Sequence, residues 1–386
     1  MRDTIEVREV ADARELKTFV KFPWKVYRRD PNWVPPLISE RLAQLSPGKN
    51  SFFQRADVAL FLAWRGRAPV GTIAAYTDPH RIEMLGQNEA NFGFFEVLED
   101  YEAAQALLDA ARSWAEARGV DYLVGPYNFN ESDRPGVLIE GADCPPVILA
   151  GHTPPYYKTF LERYGFTKHH DVFTWRAFRE QIGEEMRNLP PSVLEVAEAA
   201  RKQSNVTIRK VDLNQWDREI ETAHRLFTET LRGMPYYAPV SRPDFERLAR
   251  GMRAILDPDL VLFAEVDGEP IGFAGAIPDP NRVLIHLNGR LFPIGWLKML
   301  WYARRIDVVT FKLMGILPAY RRRGIDALLY LEVLRAVYAK GYRWLDGSVT
   351  SEFNTLVNYL AGRLGAERYK VYRIYTLPLK EACAPC

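Results

Sequence analysis

The sequence predicts a mixed α/β protein made of two tandem copies of one fold, and three observations carry that prediction. Segments recur in order at a nearly constant displacement, short runs of period-two alternation are interleaved with runs of helical period, and the 386 residues suffice for two ordinary domains. The opening run Ile5-Glu6-Val7-Arg8-Glu9-Val10 returns as Val206-Thr207-Ile208-Arg209-Lys210-Val211, 201 positions later. A hairpin, Asp57 to Phe61 followed by Gly66, Pro69 and Gly71, returns as Asp259 to Phe263 followed by Gly268, Pro270 and Gly272. Asp78-Pro79-His80-Arg81 returns as Asp279-Pro280-Asn281-Arg282, and Arg163-Tyr164-Gly165-Phe166 as Arg363-Leu364-Gly365-Ala366. These anchors set the joint in the charged helical stretch of about 180–205 and predict domains over 1–185 and 186–386.

Each copy reads strand, helix, hairpin, buried strand, long helix, strand, helix and closing strand. In the second copy the clearest elements are a strand over 308–316, a helix over 324–340, a strand over 343–349 and a helix over 354–364. Lysine plus arginine (51) nearly balance aspartate plus glutamate (49), so no whole-chain field favours nucleic acid or an anionic membrane, and a basic site has to be local. The charged start, Met1-Arg2-Asp3, is unlike a secretion signal, and no apolar run reaches the ~18 residues that span a bilayer. The expected location is the cytoplasm. Cys144, Cys383 and Cys386 make no metal or redox cluster, and no metal is expected.

The sharpest local signal runs from Leu313 to Leu329: an apolar strand ending in Met314-Gly315-Ile316, a basic turn Arg321-Arg322-Arg323-Gly324, then a helix opened by Ile325-Asp326. Orphan N–H groups and the dipole of a helix N-terminus attract an anion, glycine admits a phosphate close to the backbone, and arginines add charge-assisted bonds. The segment resembles the acyl-CoA loop of the GNAT (Gcn5-related N-acetyltransferase) superfamily, Arg/Gln-x-x-Gly-x-Gly/Ala. Arg321 and Gly324 match it, while Asp326 stands where glycine or alanine is usual. The resemblance implies two tandem GNAT-like mixed-sheet domains and acyl-CoA as cosubstrate. Its pyrophosphate would be held at 321–326, and its thioester would be polarised by backbone N–H groups near Met314, Gly315 and Ile316. Asn354 matches the asparagine that faces the CoA arm in that family. Ala361 replaces the tyrosine expected seven residues later, which usually protonates the leaving thiolate. Aligned through Gly93/Gly315 and Gly119/Gly341, the first copy has the acidic, glycine-free Glu99-Asp100-Tyr101-Glu102-Ala103-Ala104 in place of the loop, so it is expected to be degenerate.

Aminolysis of a thioester needs a proton acceptor and an acid for the thiolate; Glu352 and Asp346 are the carboxylates leading to Asn354, and Tyr372 lies on the closing strand. A first-copy insertion over 125–157, rich in polar and aromatic residues, nominates Asn128, Asn130, Glu131 and Tyr156 for the acceptor pocket. A second-copy insertion over 289–306 carries Trp296 and Trp301 among aliphatics and cations. It reads as interdomain core, as the cap of an acyl channel, or as a peripheral contact with the inner face of a membrane. Two functions follow: acyl transfer from acyl-CoA to an amine by direct attack, with ceramide-synthase-like acylation of a sphingoid base as one concrete acceptor, or a non-catalytic acyl-CoA sensor. The sequence carries no signal for oligomeric state.

Overall fold

The structure is a computed structural model that describes residues 4–130, 133–183, 186–203, 205–232, 234–238, 240–253 and 255–380. Cys383 and Cys386 therefore lie outside the described residues, as does Glu131. Thirteen strands are present among them: β1 Ile5–Glu9, β2 Asp57–Arg65, β3 Ala68–Thr77, β4 Glu89–Val97, β5 Tyr122–Gly125, β6 Val137–Glu140, β7 Thr167–Phe178, β8 Val206–Lys210, β9 Val261–Val266, β10 Glu269–Pro278, β11 Val308–Ile316, β12 Trp344–Ser351 and β13 Glu367–Pro378. The chain forms two compact units, Met1–Val172 with Leu284–Met299 and Lys370–Cys386, and Phe173–Val283 with Leu300–Tyr369.

In the first unit β1, β2, β3 and β4 pair antiparallel in order, β4 and β5 pair parallel, and the end of β13 lies antiparallel to β5, with Tyr375 opposite Gly125. The helix Tyr101–Glu116 covers this sheet with Ala103, Ala104, Leu107, Leu108, Ala111 and Ala115, a small-residue face that lets it lie close. In the second unit the order is β8, β9, β10, β11, β12 and the end of β7. The helix Ile325–Ala339 covers it through Leu328, Leu329, Leu331, Val333, Leu334 and Val337. Each copy's closing strand thus completes the sheet run of the other copy's unit: residues of β13 from Lys370 onward belong to the first unit, and residues of β7 from Phe173 onward to the second.

The duplication is visible element by element. Asp78 caps the helix Pro79–Leu85 by accepting from the His80 N–H, and Asp279 accepts from the Asn281 N–H at the start of Asn281–Leu287. The copies diverge next. After the first of these helices the chain enters β4 at once, whereas after the second it makes a long excursion containing the helix Gly295–Ala303 before reaching β11. The root of that excursion is pinned within the first unit: Trp24 Nε1 donates to Asn288 Oδ1 at 2.7 Å and the Ile38 N–H to the Gly289 carbonyl at 3.0 Å.

Candidate active site

The parallel ladder between β11 and β12 covers only Val308–Phe311 opposite Trp344–Gly347. Lys312 is an extra residue in β11, because Gly275 of β10 faces Leu313 and Ala276 faces Phe311. Such a bulge increases local twist, and past it β11 runs on to Ile316 with no β12 partner. Strands that part in this way leave the N–H groups of Met314 and Ile316 as candidate donors for a ligand, while that of Gly315 lies on the β10 side, in phase with the Leu317 N–H that donates to the Ile271 carbonyl. Gly315 is buried against Thr230: a Cβ there would stand 2.5 Å from the Thr230 Cγ2.

Beyond the strand lies the turn. Arg322 and Gly324 both adopt positive φ, 63° and 76°, and Gly324 caps the helix Ile325–Ala339 without any side-chain hydrogen bond. Only glycine suits this position, since a Cβ would also lie 2.8 Å from the Val196 carbonyl oxygen and 2.7 Å from its Cγ1. The helix N-terminus thus keeps N–H groups without a side-chain cap, with Arg322 and Arg323 exposed beside it and Asp326 in its first turn. Arg321 is engaged differently: its guanidinium donates to the carbonyls of Ile316 (3.2 Å) and Thr230 (2.8 Å), tying the turn to the end of β11. Arg323 lies over the Tyr320 ring at 5.1 Å. The close approach at Gly324 is made by the chain itself, through Val196 and Ala200, so what the turn offers an anion is its uncapped N–H groups and the exposed Arg322 and Arg323.

The acid–base candidates separate. Asp346 is fully buried and faces Thr310 across the parallel ladder, accepting from Thr310 Oγ1 at 2.7 Å and Tyr369 Oη at 2.8 Å. It braces the strands where they begin to part. Lys312 Nζ is 4.0 Å from it, and burial pulls this ammonium below its ordinary pKa against the opposing pull of Asp346 and Asp279. Lys312 is a group that sequence reasoning missed, because only the bulge turns it inward. Glu352 is half-buried in the turn after β12. Asn354 is the N-cap of Thr355–Arg363, its Oδ1 accepting from the Val357 N–H at 3.4 Å. Tyr359 on that helix is 63% exposed. Tyr372 belongs to the first unit, where it is fully buried and donates to the Gly151 carbonyl at 2.8 Å.

In the first unit the same architecture is closed from within. β4 pairs with β5 only over Glu89–Asn91, and the chain leaving β5 tucks alongside: the Tyr127 N–H donates to the Phe92 carbonyl at 2.7 Å and the Phe94 N–H to Asn128 Oδ1 at 2.8 Å. A Cβ on Gly93 would fall 1.7 Å from the Tyr127 carbonyl oxygen, so glycine is what lets this plug seat. Asp100 caps the helix Tyr101–Glu116 by accepting from the Ala103 N–H, and Arg65 donates to both Asp100 and Glu102 at 2.8 Å. The helix N-terminus that lacks a side-chain cap in the second copy is filled by the chain's own carboxylate in the first.

Beside the plug remains a cavity of ≈ 70 Å³ whose lining includes Arg41, Phe94, Glu96, Asn128, Arg134 and His152. Burial pushes the Glu96 carboxyl up to about 7, against hydrogen bonds from Tyr157 and Tyr27 and the charges of Arg134 and Arg41. Tyr157 Oη donates to it at 2.9 Å. Arg41 is itself lowered to about 10, chiefly by burial. Asn130 is half-buried, its carbonyl accepting from the Asp133 N–H, and Tyr156 Oη donates to the Val97 carbonyl at 2.8 Å. Trp296 and Trp301 are 43% and 60% exposed, so this helix is surface and not buried core.

No protein-family model matches the chain. Over 383 residues it is 31% identical to a bacterial ceramide synthase of Caulobacter vibrioides, covering 96% of this chain and 97% of that protein. It is 32% identical over 380 residues to protein YghO of Escherichia coli K12, covering 96% and 94%. Among solved structures, a tandem GNAT protein from the clavulanic acid biosynthesis pathway superposes with a TM-score of 0.58 over 98% of this chain and 99% of that one, at 13% identity. A GCN5-related N-acetyltransferase from Sphaerobacter thermophilus superposes at 0.52, covering 98% and 96%. The chain belongs to the family of these two bacterial proteins, and its fold is that of the tandem GNAT proteins. The first copy carries an acidic, glycine-free turn where the second has its basic one, and the bulged β11 with the turn at Gly324, which has no side-chain cap, forms the candidate site. Among the described residues no helix is long and apolar enough to cross a membrane, and no cluster of three or more histidine, cysteine or acidic residues could hold a metal.

Proposed function

We propose that this protein transfers an acyl group from acyl-CoA to the amine of a lipid acceptor of sphingoid-base type, by direct attack of the amine and on the cytoplasmic side. The observation that carries acyl-CoA is the helix N-terminus at Gly324, bare of side-chain caps and flanked by Arg322 and Arg323. The acceptor class is supported by end-to-end similarity to a protein named as a bacterial ceramide synthase. Acyl-CoA supplies an activated thioester. The residues of this chain would hold its phosphates on the N–H groups of Ile325 and Asp326 and direct donors from Met314 and Ile316 toward its carbonyl oxygen, with Gly315 keeping the strand close to Thr230. Glu352, half-buried at the end of β12, is the carboxylate we assign to take the amine proton, with Asp346 as the brace that sets the opening of the strands.

Release of CoA-SH, followed with a thiol reagent, tests the proposal across acetyl-, octanoyl- and palmitoyl-CoA, each offered sphinganine or a water-soluble polyamine. Turnover is expected with sphinganine and to require an acyl-CoA. Turnover with the polyamine alone would remove the lipid acceptor. One observation favours the sensor reading: Ala361 stands where the family places its thiolate-protonating tyrosine, and Tyr359 points to solvent. A protein stabilised by acyl-CoA that frees no thiol with either amine would establish it.

A further inference from the structure

The excursion between Leu287 and β11 has no counterpart in the first copy. It exposes Phe292 (78%), Ile294, Leu297, Leu300 and Trp301 together with Trp296, within ten residues. An exposed leucine alone is ordinary, but this density of large apolar side chains on one short element is not, and a soluble surface does not keep it without use. Along the helix Gly295–Ala303 only Gly295 is buried and only Tyr302 is intermediate, so exposure runs around the element and is not confined to one seam.

Its charges point the same way. From Val283 to Ile306 there is no aspartate or glutamate, although acids nearly equal bases in the whole chain, while Arg290, Lys298, Arg304 and Arg305 lie in or beside the apolar set. Arg305 is held over the Trp301 ring at 4.3 Å, which places a cation at the edge of the apolar layer. Tryptophans, a tyrosine and cations around an aliphatic centre, on a helix too short to span, are the composition of an element that lies in the headgroup region of a bilayer. Its root is fixed by Trp24 on Asn288 and Ile38 on Gly289, so the tip is presented and does not merely dangle.

We infer that the segment 290–305 is a monotopic anchor that docks this protein on an anionic phospholipid surface, with Phe292, Ile294, Leu297 and the two tryptophans in the interface and Lys298, Arg304 and Arg305 on lipid phosphates. The anchor is independent of the acyl acceptor: a protein that binds vesicles yet acylates nothing refutes only the proposed activity. The test is co-sedimentation of the full chain with vesicles of phosphatidylglycerol and phosphatidylethanolamine, and with vesicles of phosphatidylcholine, at ~0.1 M salt. Binding is expected on the anionic vesicles and at least ~tenfold weaker on the neutral ones. Trp296→Ser with Trp301→Ser is expected to lower it by at least ~tenfold while leaving circular dichroism and Tm unchanged, because both rings are exposed. Lys298, Arg304 and Arg305 changed to Gln should weaken binding and flatten its salt dependence. Wild-type protein left in the supernatant with anionic vesicles overturns the anchor. So does equal binding by the tryptophan variant, or a dimer in light scattering that this variant converts to monomer, which would make the helix a contact between copies.

Discussion

Single residues set the turns of the two copies apart. Gly324 combines a positive φ with a backbone carbonyl within reach of any Cβ, so Gly324→Ala should cost about 1–3 kcal/mol in chemical denaturation and weaken CoA binding together. Arg323→Glu separates these effects: the side chain is exposed, so Tm should move by little while CoA affinity drops at least ~tenfold in calorimetry. A collapse of Tm with affinity intact would make the arginines structural. Glu96 gives a pH signature. Its ordinary value is 4.5 and its folded value about 7, so between those pH values the folded protein binds more protons than the unfolded chain, and stability falls as pH rises across that window. Glu96→Gln should remove the slope, leaving the variant up to about 3 kcal/mol better off relative to wild type at pH 8 than at pH 4. Equal slopes in paired urea titrations would show that the carboxyl is solvated.

At the scale of elements, the ladder between β11 and β12 stops at Phe311 and Gly347, and it is braced there by one buried carboxylate. Asp346→Ala would leave the Thr310 and Tyr369 hydroxyls without this acceptor inside the sheet, and the cost should be about 2–4 kcal/mol of stability. Thr310→Val with Asp346→Leu, which removes both polar partners of that bond, should cost less than Asp346→Ala if desolvation governs the effect; a larger loss would assign the brace to the hydrogen bonds themselves. The corresponding strands of the first copy also part, but Asn128 and Tyr127 refill the gap with their own backbone and amide contacts.

For the whole molecule, the prediction is one acyl-CoA per chain. Calorimetry should give a stoichiometry near one, lost with Arg323→Glu and unchanged by Asp100→Ala; two equivalent sites would show that the Asp100 cap and the Arg65 bridge yield to phosphate. Each unit draws strand residues from both copies, so a cut between the copies leaves each sheet run without its closing strand. Separately expressed halves should be poorly soluble alone and recover on co-expression.

The sequence by itself determined the duplication, the α/β order, the strand and helix that flank the basic turn to within two residues, and the acidic, glycine-free character of its counterpart in the first copy. These are legible because period, glycine position and local charge are properties of neighbours in the chain. It did not determine that Asp346 would be sealed between Thr310 and Tyr369, that Lys312 would occupy a bulge, that β7 and β13 would trade units, or that the tryptophan-bearing insertion would stand exposed. Burial, strand partner and exposure depend on contacts between residues far apart in sequence. An apolar helix reads the same whether a core covers it or water does, and only the packed fold shows which surface is left over.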